Sequence, residues 1–185
     1  MTPLIAGRIT GSLFLAAFVL YGGGSALGAV PGGIALIFLN SIAVAAIGFL
    51  VRARLRPDAP GAAEGYFWAR QTEAVLLAAG VWFLLADKPD TNALLYAAAM
   101  CALAVGSIPM LLALKRLRWF PSWFTVWGAI GYALLGIGAV MDFAVPGSGI
   151  FFSIPGGLFE IAFGVLLIRA GFPAQAESPA ASRSR

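Results

Sequence analysis

The chain has 185 residues, 61% of them hydrophobic and 11% charged, with a mean hydropathy of +0.91; a soluble domain of this size does not carry so much apolar surface, so its solvent is largely lipid. The net charge of +4 sits in short clusters beside apolar runs rather than along one solvated face, which speaks for membrane topology and against nucleic acid as a partner. With no histidine and a single cysteine, Cys101, an intrachain disulfide, imidazole metal ligation, bis-histidine haem and any histidine triad are excluded, and neither a metal nor a cofactor is expected.

A spanning helix needs about 20 apolar residues, and six runs meet that length: 9–29, 34–51, 67–86, 93–114, 123–143 and 150–168. Together they predict an all-α polytopic bundle of six transmembrane helices over residues 1–172, followed by a disordered cytoplasmic tail over 173–185. The first run follows Arg8 and ends in small residues, as a signal peptide would, but it is too long for a signal core and carries glycines at four-residue spacing. Arg52, Arg54 and Arg56 follow the second run, Lys115, Arg116 and Arg118 the fourth, and Arg169, Arg183 and Arg185 the sixth. The alternate connections are uncharged (30–33) or contain acids (87–90 and 142–149). By the positive-inside rule both termini are then cytoplasmic. Arginine outnumbers lysine ten to two, a composition that suggests a bacterial source and hence the inner membrane.

Tyr66, Phe67, Trp68, Trp82, Phe83, Trp119, Phe120, Trp123 and Trp127 stand at the ends of spans, where aromatic side chains anchor a helix at the interface. Residues 52–65 form a mixed-charge loop with proline and alanine. Neither this loop nor the tail has room for an extramembrane catalytic domain, and no phosphate-binding or dinucleotide fingerprint is present.

The informative residues are the polar ones inside the spans. A charged side chain at a helix centre costs about 2.5 to 3.5 kcal/mol on the insertion scale, so it faces the bundle or a wet cavity. Glu160 lies roughly 15 Å from the outer end of its span and Glu73 about 9 Å from the inner end of its own, at 1.5 Å per residue. Arg70 and Glu73, three apart, share a helix face and pair locally. Glu160 has no such neighbour in its own helix. Its candidate partners are Arg70, Asn40 with Ser41, and Tyr132. The ligand or proton site expected here is therefore Glu160, Glu73, Arg70, Asn40 and Tyr132, with no catalytic set among them. The competing reading makes the same residues interhelical glue.

In the fifth span Gly128, Gly131, Leu135, Gly138 and Asp142 form one stripe of mostly small residues, against which a neighbouring helix should lie closely. The same stripe also suits a homodimer. Pro109 and Pro155 remove backbone donors and predict a kink or break in the fourth and sixth spans.

The chain resembles the bacterial multi-span membrane proteins grouped as domain of unknown function 4386. The resemblance is carried by Arg8-Ile9-Thr10-Gly11, by Leu39 to Ala43, by Tyr66 to Ala74, by Phe120-Pro121-Ser122-Trp123 with Trp127-Gly128, by Ile154-Pro155 through Phe159-Glu160, and by Gly171-Phe172. It runs over the whole membrane part, and the chain departs from it in the short connection after the first span. The resemblance implies a six-span fold, singles out Arg70, Glu73 and Glu160, and supplies no substrate. Two functions are then expected. One is binding or transport of a small solute, proton or lipid at a polar intrabundle site. The other is a noncatalytic membrane subunit or stress-related interaction protein whose buried polar residues are structural. Beyond the lipid bilayer, a small solute or lipid is the expected partner. An enzyme is the least favoured class, because no nucleophile or metal constellation accompanies the two carboxylates.

Overall fold

The computed structural model describes residues 1–145 and 147–173 and is all-helical over them. Its six helices are α1 (Pro3–Leu27), α2 (Pro31–Leu55), α3 (Pro60–Leu85), α4 (Pro89–Arg116), α5 (Ser122–Asp142) and α6 (Ile150–Ala170). Proline opens each of the first four, where its fixed φ suits the first turn and its missing N–H costs nothing. Thr2 caps α1, its hydroxyl accepting from the Ile5 N–H at 3.3 Å.

Five of these helices are long and apolar enough to cross a membrane: α1, α2, α4, α5 and α6. α3 is as long as its neighbours, but Arg70, Gln71 and Glu73 dilute its apolar character. Those charges are turned inward, since Arg70 and Glu73 are 2% and 4% exposed while Val75 and Trp82 on other faces of the helix are well exposed.

Each helix packs against the one before and the one after it in sequence, and α1 closes on α6. Short connections force consecutive helices antiparallel, so the six alternate in direction around a ring. One end of the ring carries Arg52, Arg54, Arg56, Lys115, Arg116, Arg118 and Arg169 and is called the basic end. The other carries Asp87, Asp90 and Asp142 and is called the acidic end. Helices opposite one another, α1 and α4, α2 and α5, α3 and α6, meet only through side chains in the interior.

Glycine sets the closest contacts of the ring. A Cβ on Gly131 would lie 2.9 Å from Gly156 Cα, and one on Gly128 would lie 2.6 Å from the Phe159 ring. The glycine stripe of α5 is thus covered by α6 of the same chain, as the spacing predicts for a close neighbour. Gly7 and Gly11 seat α1 against Gly171, just past the end of α6, and Gly164 within it, and so close the ring at the basic end.

Three expectations need correction. The loop over 52–65 shrinks to a four-residue connection, 56–59, because α2 runs on to Leu55 and α3 begins at Pro60, with Leu55 and Ala63 fully buried. Glu64 ties the two helices there, accepting from Arg52 Nε at 2.9 Å and pairing with Arg56 at 3.3 Å. Of the kink or break expected at Pro109 and Pro155, the break does not occur, since both helices run through these positions; a single missing donor is tolerated where the rest of the ladder continues. Finally, several expected interface aromatics are core residues. Trp68, Trp82 and Trp123 are exposed as anchors should be, but Tyr66 is fully buried and Phe67 and Phe120 nearly so. The expected tail, apart from Pro173, lies outside the described residues.

Candidate functional site

Tyr66, Arg70 and Glu73 follow one another at four- and three-residue steps on α3 and therefore point the same way, into the ring. Arg70 is the hub. Its Nε donates to the Tyr66 hydroxyl at 2.8 Å, its Nη1 to Glu73 Oε2 at 2.9 Å, and its Nη2 to Glu160 Oε1 at 2.6 Å. The last bond crosses the ring from α3 to α6. Tyr132 on α5 donates to the same Glu160 oxygen at 2.6 Å. The guanidinium also stacks near the rings of Phe14 and Tyr66, at 5.2 and 5.3 Å from their centroids, which suits its delocalised charge.

Of the candidate partners for Glu160, Arg70 and Tyr132 bond to it, and Asn40 does not. Asn40 is 3% exposed, and its Oδ1 accepts no hydrogen bond. Ser41 turns away, donating to the Ile37 carbonyl of its own helix at 3.2 Å. The sequence reading missed Tyr66, placed among interface anchors although its four-residue spacing from Arg70 marks a shared face. It also missed Phe14, Tyr21, Tyr96 and Ser153, whose positions follow from helix packing alone.

Above this cluster, toward the acidic end, lies a cavity of about 400 Å³ whose wall includes Asn40, Arg70, Glu73, Tyr132 and Glu160, so all five expected site residues share it. A second cavity of about 500 Å³ follows, with Asp90 and Asp142 in its wall. The two have Tyr21, Tyr96, Met100, Leu135 and Ser153 in common and follow one another from the polar cluster to the acidic end. Tyr21 of α1 and Tyr96 of α4 stack between them, their centroids 5.2 Å apart. Toward the basic end, among the described residues, Phe159, Phe163, Phe124, Phe120 and Leu167 fill the interior, with Phe163 5.5 Å from Phe14 and 5.4 Å from Phe120 between ring centroids.

One arginine faces two carboxylates. Each carboxylate gives one oxygen to Arg70, and Glu73 Oε1 and Glu160 Oε2 make no hydrogen bond among the described residues. With both ionised, the cluster carries one unit of negative charge beyond what Arg70 neutralises. Inside an apolar bundle that excess favours a compensating cation at the cluster. Of the two carboxylates Glu160 is the more open, its side chain 15% exposed against 5% for Glu73.

Comparison of the chain with family models, with curated proteins and with solved structures finds no match.

Proposed function

We propose that the chain is a six-span membrane protein with both termini on the cytoplasmic side of a bacterial inner membrane, in the family grouped as domain of unknown function 4386. We further propose that it binds a small solute at the Arg70, Glu73 and Glu160 cluster. The alternation of basic and acidic ends supports the orientation. The inward turn of Arg70 and Glu73 supports α3 as the sixth span, because its outer surface is then as apolar as that of its neighbours. The observation that carries the binding reading is a charge-unbalanced carboxylate pair at the floor of a cavity on the acidic side of the ring. Most of the cavity wall is apolar, with a few convergent polar groups at one end, as in sites that orient small molecules. Alternating access with the basic end would require the aromatic packing there to open, so binding is the function favoured by the geometry and transport its extension.

The structural alternative has its own support. Three of the five Arg70 N–H groups are engaged, and the cluster ties α3, α5 and α6 across the ring. The two readings part on Glu160→Gln, which keeps the side chain's shape and removes its charge. Melting temperatures of wild type and variant with a panel of metabolites and lipids test the choice. Binding at the cluster predicts that wild type gains stability from a ligand and the variant does not. A variant that melts lower, with neither form responding to any ligand, overturns it.

A further inference from the structure

We propose that the cavity receives its ligand sideways from the bilayer, through a gap between α1 and α6, and that the ligand is an amphiphile with a protonated amine head and an apolar chain. This rests on the reading of the cavity as a binding site.

The gap follows from how α1 and α6 meet. At the basic end their glycines bring the backbones together, Gly11 against Gly164 and Gly7 against Gly171. Further along, a Cβ on Gly157 would touch only the Phe18 ring, at 3.4 Å, and a Cβ on Gly22 would meet nothing within 4 Å. The helices thus part toward the acidic end. The cavity that holds Glu160 is bounded on this side by Phe18, Gly22, Ile154, Leu158 and Ile161. Phe18, Ile154, Leu158 and Ile161 are each between 37% and 54% exposed. A wall of half-open apolar side chains, at the place where the two backbones part, is where the cavity would open into the lipid. By the orientation proposed above it faces the outer leaflet.

The head group follows from charge. Arg70 is the one cation on the cavity wall and is already held by both carboxylates. The unengaged oxygens of Glu73 and Glu160, together with the unpaired and buried Asn40 Oδ1, are acceptors. A ligand that completes them brings N–H donors and one positive charge, which an ammonium supplies. The charged groups facing this position are Arg70 and Glu73 of α3 and Glu160 of α6; Tyr21, Tyr96 and Tyr132 come from α1, α4 and α5, and α2 contributes only the neutral Asn40. An apolar chain on that amine would lie in the gap among Phe18, Ile154 and Leu158 and continue into lipid.

The test uses the full chain in nanodiscs of zwitterionic lipid, with dodecylamine as the probe and dodecanol, dodecanoate and butylamine as comparisons. Melting is followed for wild type, Glu160→Gln and Gly22→Phe, the last at a position with open space around it. Dodecylamine is expected to raise the wild-type melting temperature where dodecanol, dodecanoate and butylamine do not. Glu160→Gln should shift the midpoint of that response by about tenfold or more, and Gly22→Phe should melt like wild type without responding. Equal responses to dodecanol or dodecanoate overturn the amine head. A butylamine response equal to that of dodecylamine, or a Gly22→Phe response like wild type's, overturns lateral access while the binding site stands. The site also stands, and the amphiphile falls, if a panel metabolite binds in a Glu160-dependent way and no amine does. No response to any compound, with a simple loss of stability in Glu160→Gln, defeats both this proposal and the binding site on which it rests.

Discussion

The two halves of the ring are built from the same six helices and differ in what fills them. From Glu160 to the basic end, α6 contributes Phe159, Phe163 and Leu167, α1 contributes Phe14, and the interior is closed by edge-on and stacked rings. From Glu160 to the acidic end, α6 contributes Gly157 and Ser153, α1 contributes Gly22, and the interior is open. Glycine acts by what it faces: where it faces backbone it brings helices together, as at Gly164 and also at Gly156, and where it faces the lumen it leaves space. The polar cluster sits at the boundary, where its cross-ring bonds join α3 to α6 without a backbone contact. The packed half accounts for rigidity, and the open half for access to the cluster.

The comparison is broken most severely by Arg70→Leu. Both carboxylates and the Tyr66 hydroxyl would lose their shared donor at the boundary, a loss of about 3 to 5 kcal/mol, and the expected outcome is a protein that fails to fold in detergent, seen as aggregation in size-exclusion chromatography. Phe163→Ala, within the packed half, is expected to cost about 3 to 5 kcal/mol, as deletion of a fully buried ring does, and to lower the melting temperature while leaving any ligand response in place. A paired test sharpens the contrast along one interface. Gly164→Val forces a branched side chain against the Gly11 carbonyl and the Phe14 Cβ and should cost about 1 to 3 kcal/mol, whereas Gly157→Ala, which meets only Phe18 in ordinary contact, should fall within about 0.5 kcal/mol of wild type. Glu160→Gln is expected to cost only about 1 kcal/mol, because an amide oxygen still accepts from Arg70 and Tyr132; its main effect is expected on ligand response.

The sequence makes the helices and part of the site legible. Six apolar runs become six helices, with boundaries displaced by up to seven residues at the start of α3, where small residues extend the helix beyond the apolar stretch. Arg70 with Glu73 is readable because a three-residue spacing fixes a shared face. Tyr66 follows from the same arithmetic, yet its place at the end of an apolar run also fits an interface anchor, and composition favours the wrong choice. The Arg70 to Glu160 bond joins residues ninety positions apart on helices whose backbones are not in contact, so it depends on the order of helices around the ring, which no local pattern encodes. The cavity is less legible still. It exists because Gly22 of α1 and Gly157 of α6 face the lumen rather than a neighbouring backbone, whereas Gly164, about two turns along α6 from Gly157, does the reverse.

The most direct test of the difference between the halves uses two buried polar residues that are alike in every local respect. Asn40 is 3% exposed and Ser107 0%, and each has a side-chain oxygen with no hydrogen-bond partner. Asn40 borders the cavity and Ser107, toward the basic end of α4, does not. Replacing each by cysteine in a Cys101→Ala background, and following modification by a water-soluble cationic thiosulfonate, reads access alone. The account predicts that Asn40→Cys is modified and that Ser107→Cys is protected until the protein is denatured. Modification of Ser107→Cys with Asn40→Cys protected, or equal rates at the two, would contradict it.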